Sequence, residues 1–211
     1  MSETPQASQL ELVTEWIEGV LTKPHKDLGR EGAVCPFVGP ALDKKQLVIL
    51  SSDIEPTLEE MKKLLHREKI SFLRRSLACD DENDLMHMST VIALERCSTK
   101  EHAEIMNRAH AISKINFMHA RLMAGQFHPF DESPGLHKTA FRPFKSPGFC
   151  FSIRHMIPSD TAFAKQNLLS DSANEAVGIM IVANATVHRR REIQQLILRC
   201  SKDSDATEES M

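Results

Sequence analysis

The chain has no tyrosine and one tryptophan, Trp16, whereas phenylalanine and methionine number ten each. A core drawn from that inventory depends on soft, adaptable side chains. Its five cysteines (Cys35, Cys79, Cys97, Cys150 and Cys200) are odd in number, widely spaced and free of any C-x-x-C pair. That excludes a disulfide scaffold and a thiolate zinc knuckle and leaves reduced thiols as the expectation. No apolar run approaches a membrane span, and the polar start MSETPQASQ lacks the basic and apolar regions of a signal peptide. A cytoplasmic protein with no membrane partner is therefore expected. There is no G-x-G-x-x-G, Walker A loop, G-x-S-x-G elbow or H-E-x-x-H pattern, so nucleotide cofactors, serine hydrolysis and zinc hydrolysis have no motif behind them. Excess basic charge is missing too. Twenty-six Lys and Arg against 29 Asp and Glu leave a net charge of −3, which gives no general attraction to nucleic acid and requires any anion site to be local.

What remains is a chain of 211 residues with 41% hydrophobic and 26% charged side chains, ordinary values for one soluble domain. A globular unit over 8–200 is expected, flanked by disordered segments at 1–7 and 201–211. Leu10, Val13, Trp16, Ile17, Val20 and Leu21 repeat at helical spacing until Pro24, which predicts an opening amphipathic helix over 8–22. Residues 24–40, rich in Gly and Pro, read as an ordered loop. Strands are expected at 46–51, 88–96 and 149–157, the last with Phe149, Phe151, Ile153 and His155 on one face. Pro56 opens a helix that turns Leu58, Met61, Leu64 and Leu65 inward. A long helix over 101–123, apolar over a wide arc, is expected to be central and to end at a left-handed Gly125. A second Pro- and Gly-rich loop spans 126–148, and helices are expected after Pro158 and over 183–200. The fold class is α+β or α/β, a small mixed sheet packed against several helices.

Three constellations carry chemistry. In the first, Cys35 precedes Pro36 in the loop that also holds His25 and Arg30. Proline turns the chain away from helix just after the sulfur, leaving the thiol able to meet a metal or act as a nucleophile, and Arg30 favours its ionised form or binds substrate. The alternative is a thiol packed as a small hydrophobe. In the second, His128 is confined between Phe127 and Pro129, as a metal ligand or general base requires; the alternative is a histidine capping a helix C-terminus. In the third, Arg142 lies in the second loop, with Arg154 and His155 side by side in the last strand. Alternate strand residues face opposite ways, so only one of the pair reaches a given layer. Arginine there clamps a carboxylate or serves a structural ion pair. The run His188–Arg191 reads as a solvated helix face, not a nucleic-acid contact.

The blocks GREGAVCPFV, RLMAGQFHPF and PGLHKTAFRPFKSPGFCFSIRHMIPSDTAF resemble an uncharacterised bacterial domain family with VCPF, GQFHP and IRHM motifs. Its layout is in turn similar to the YcgG-type haem proteins, some of which N-oxygenate amino acids or guanidines. That resemblance implies haem as cofactor, with His128, or else His155 or Cys35, as its iron ligand, and His137 is a further candidate ligand in the same segment. It further implies that Arg142 and Arg154 hold propionates or a substrate carboxylate, and that Gln126 orients bound oxygen. The function expected on this basis is a haem-dependent oxygenase acting on the nitrogen of a small amino-acid-like substrate in biosynthesis. Two alternatives stay open: a non-haem enzyme using Cys35 or His128 on an anionic small molecule, and a non-catalytic binding domain. The partners expected are a small-molecule substrate and, as an option, a second copy of the chain.

Overall fold

The computed structural model describes residues 7–135, 140–157 and 160. The expected helices after Pro158 and over 183–200, the tail from 201, the basic run 188–191 and His137 lie outside the described residues. Ser8 starts the first helix: its hydroxyl accepts from the Glu11 N–H, and the Glu11 carboxylate accepts from the Ser8 N–H. This reciprocal cap satisfies two helix-terminal donors. The helix α1 (Gln9–Trp16) widens into a π-helical turn over Ile17–Leu21. The next two donors, Gln9 N–H and Leu10 N–H, go to the Glu95 carboxylate, and Gln9 Oε1 accepts from Phe149 N–H at 2.8 Å. These bonds fix α1 against the sheet.

A short helix α2 (Val38–Asp43) closes the first loop and leads into β1 (Leu47–Ser52). Thr57 caps α3 (Leu58–Leu77), which is followed by α4 (Glu82–His87), β2 (Ser89–Leu94), α5 (Lys100–His119), β3 (Leu122–Phe127) and β4 (Cys150–His155). The sheet order is β1-β2-β4-β3; β1 and β2 are parallel, and β4 runs antiparallel to both of its neighbours. The fold is α+β.

Strand alternation sends each sheet residue to one of two cores. Ile92, Leu94, Leu122, Ala124, Phe151 and Ile153 pack against α3 and α5, where Phe72 and Phe117 are fully buried. Val91, Ala93, Cys150 and Phe127 pack against Val13, Trp16 and Ile17 of the α1 segment. Each large apolar side chain so buried contributes roughly 2 kcal/mol, and the result is three layers.

The long helix was expected to run through Leu122 and Met123 to Gly125, and residues from 126 to form a loop. Instead α5 stops at His119, Arg121 takes the left-handed conformation (φ 56°), and Gly125 sits inside β3 opposite Ser152. The run LMAG fits either period, and pairing with β4 decides it. The short helices α2 and α4 carry too few periodic positions to be seen in sequence alone.

Candidate functional site

The two faces of the sheet divide the residues singled out by sequence. His128, at the end of β3, is 2% exposed on the α3/α5 face and stacks on Phe149. Its Nε2 donates to Asn107 Oδ1 at 3.0 Å, with Asp131 Oδ2 at 3.9 Å, while Nδ1 is buried without a hydrogen-bond partner. Burial holds its pKa below the ordinary histidine value against the opposing pull of Asp131. Gln126 is buried on the same face. His155 shares that face too, but its ring packs on Phe72 and its Nε2 lies 2.9 Å from Ser76 Oγ. That hydroxyl already donates to the Phe72 carbonyl, so Nε2 is the donor of the pair. Because Leu122 of β3 is paired with His155, six residues before His128, the two rings are separated by about 20 Å along the strand.

Cys35 and Arg154 belong to the opposite face. Cys35 is half-buried against the Trp16 cluster, as a packed thiol would be. Arg30 is exposed, and its guanidinium donates to the Glu31 and Val34 carbonyls of its own loop. Arg154 clamps Asp160 with both terminal nitrogens, at 2.8 and 2.5 Å, and lies over the Phe37 ring. Asp160 is 1% exposed, so this is a structural ion pair. Among the described residues no group of three or more His, Cys, Asp or Glu side chains is placed to share a metal ion. The described residues also do not fit the haem set that the resemblance implies. Its described histidine candidates, His128 and His155, stand apart with Nε2 engaged, and one of its propionate arginines, Arg154, is clamped on the other face.

The structure assembles something else from the same segments. The π-helical turn, the first loop and residues 140–145 enclose a cleft of about 300 Å³. Trp16, Leu21 and Phe141 supply its apolar surface, and Arg142, Lys145, His25 and the single carboxylate Asp27 its charged and polar groups. Such a mixture is typical of small-molecule sites, at the lower end of their size range. His25 packs against Phe141 with the rings tilted by 44° and their centres 5.2 Å apart, and its Nδ1 accepts from the Asp27 N–H at 3.2 Å. The ring proton therefore sits on Nε2. The two cations converge on one carboxylate: Arg142 Nε donates to Glu132 Oε2 at 3.2 Å, and Lys145 Nζ to Glu132 Oε1. Lys145 and then Arg142 hold the Glu132 carboxyl below the usual carboxylate range.

Sequence reasoning reached Arg142 but passed over Lys145, Glu132 and the Trp16 wall. The spacing of Arg142 and Lys145 across the Pro143 turn was the available signal. The meeting with Trp16 left none, because it joins segments more than a hundred residues apart.

Residues 10–177 match the family model described as Domain of unknown function (DUF6875), well over half of the chain, and the chain belongs to that family. Every cleft residue falls inside the matched segment. No curated protein and no solved structure matches the chain.

Proposed function

We propose that this DUF6875 chain receives a small organic anion, of carboxylate type, in the cleft between the first loop and residues 140–145. One observation carries the reading: Arg142 and Lys145 converge on a carboxylate at the rim of a cavity whose wall is Trp16, Leu21 and Phe141. The Glu132 side chain marks where such a group is held, and guanidinium with ammonium is a pairing suited to it. The apolar wall takes the body of the ligand. Of the two residues offered for a non-haem reaction, His128 points to the other face and Cys35 packs half-buried against the Trp16 cluster without lining the cleft, so proton transfer at the cleft falls to His25.

Trp16 makes the test direct, since it is the sole tryptophan of a chain without tyrosine and it lines the cleft. Its fluorescence is titrated with small aromatic and aliphatic carboxylates, each paired with its neutral amide. Saturable change with at least one carboxylate, absent with its amide and weakened tenfold or more in Arg142→Gln, is expected. Responses that ignore charge, or that survive Arg142→Gln unchanged, sink the proposal. Hemin titration approaches from the other side: a stoichiometric Soret band that disappears in His128→Ala would restore the haem oxygenase reading in its place.

A further inference from the structure

The opposite face of the molecule holds a second concentration of positive charge. Lys62, His66 and Lys69 follow one another along α3 at spacings of four and three, which places them on one stripe of a helix with 3.6 residues per turn. Ser113, Asn116 and Phe117 of α5 form the facing wall, and together these side chains line a cavity of about 170 Å³. The stripe changes character along its length. Lys62 bonds Glu59 at 3.0 Å and His66 is exposed, whereas Lys69 is 7% exposed, with its ammonium 5.9 Å from the centre of the Phe117 ring.

The Lys69 stem is buried while its ammonium opens into the cavity, where an anion can take the place of the water that hydrates it. Among the described residues no carboxylate pairs with Lys69, and none of the residues lining the cavity is acidic. The ring face of Phe117 offers only a weak substitute. The remaining groups around the cavity are a hydroxyl, an amide and an imidazole, all able to donate. A cavity walled by cations and donors has a place for an anion that none of the described residues supplies.

We infer that the groove between α3 and α5 binds an oxyanion of the phosphate class, with Lys69 as its buried cation and Ser113 and Asn116 donating from across the groove. The donor set selects this class. Ammonium groups act as point charges toward a tetrahedral anion, and none of the described residues lining the groove carries the planar guanidinium fork that matches a carboxylate. Its volume equals the space of about five or six liquid waters, enough for one phosphoryl group and the first atoms of whatever carries it. The inference rests on residues separate from the carboxylate cleft, and either can fail alone.

The test uses the full chain and inorganic phosphate as probe, with amide chemical shifts followed by NMR at constant ionic strength and sodium chloride as the blank. Saturable shifts at Ser113, Asn116 and the Lys69 turn are expected. Lys69→Met, which keeps most of the buried stem, is expected to weaken them at least tenfold, Lys69→Arg only severalfold, and Arg142→Gln not at all. Ser113→Ala gives a second reading, a loss of severalfold, should Lys69→Met unfold. O-phosphoserine in place of phosphate separates the two sources of the group: tighter binding identifies the end of a larger ligand, and equal binding identifies free phosphate. Shifts that stay linear and match chloride, or saturable binding indifferent to Lys69→Met and Ser113→Ala, overturn the inference.

Discussion

Arg154 and His155 are adjacent in the chain and serve opposite faces of one sheet. The guanidinium of Arg154 lies 5.4 Å from the Phe37 ring centre and clamps Asp160, while the His155 ring packs on Phe72 and shares the Ser76 hydroxyl on the far side. A basic pair that reads as one feature in the sequence is two unrelated contacts in space. Each ties β4 to a different neighbour, and neither adjoins the anion cleft.

The clamp on Asp160 should be a measurable part of stability. The carboxylate accepts from both Arg154 nitrogens and from the Ile157 N–H at 2.9 Å while almost wholly buried. Asp160→Ala leaves the guanidinium and that N–H without their acceptor, at a cost of about 2–4 kcal/mol. Urea denaturation reads this as a lower midpoint with unchanged slope; a loss under 0.5 kcal/mol would show the pair to be incidental.

Glu132 competes with any carboxylate ligand for Arg142 and Lys145. Its side chain is mostly exposed, so the internal pair adds little to stability and its removal should leave melting almost unchanged. Glu132→Gln is expected to raise carboxylate affinity severalfold, read by Trp16 fluorescence, and to steepen its dependence on salt. Affinity that falls in this variant would mean Glu132 holds the cations in place for the ligand.

Acid should destabilise the fold before any carboxylate titrates. His110 is buried, donates from Nε2 to the Ala124 carbonyl, and has its pKa pushed down by burial from 6.5 to about 4. A base whose pKa is lower folded than unfolded takes up protons preferentially in the unfolded chain. Its contribution is therefore complete above pH 6.5 and is lost as the pH falls toward 4, on the order of 3 kcal/mol. His128 is shifted in the same direction. Unfolding free energy measured across this window should decline, and His110→Gln, which keeps a donor for Ala124, should flatten the decline. Parallel curves for the two proteins would locate acid sensitivity elsewhere.

Gly148 links packing to the cleft. A Cβ there would stand 2.9 Å from Gln9 Oε1 and 3.0 Å from Val13 Cγ2, and Gln9 Oε1 already accepts from Phe149 N–H. Gly148→Ala is expected to displace the Gln9 amide from Phe149 N–H and crowd Val13 of α1, at a cost of about 1–3 kcal/mol. Since Trp16 ends the same helix, its emission should shift and carboxylate binding weaken together. A destabilised variant with unaltered Trp16 emission would show that the strain is absorbed locally.

Much of this architecture is legible from neighbouring residues alone. The apolar repeat from Leu10 to Leu21, the stop at Pro24, the inward stripe of Met61, Leu64 and Leu65, and the alternation through Phe151, Ile153 and His155 are short-range properties, and each gives the element that is found. The strand at Leu122–Phe127 was not legible, because an apolar run beside a long helix continues the helical pattern until β4 is there to pair with it. Arg142 was recognisable as an arginine free of helix and strand, suited to a carboxylate. That Lys145 and Glu132 would join it was not, since charges in a loop converge only once the loop is folded.

Type of element, burial of a face, and the chemistry of each side chain thus follow from composition and period, which depend on a few residues at a time. Which side chains meet does not. His128 and Cys35, both confined by proline, look like partners in sequence and are divided by a sheet; Trp16 and Arg142 look unrelated and share a cleft. Sheet order, register and the choice of face are set by contacts between segments far apart in the chain, and a one-residue change of register would send each of these side chains to the other layer.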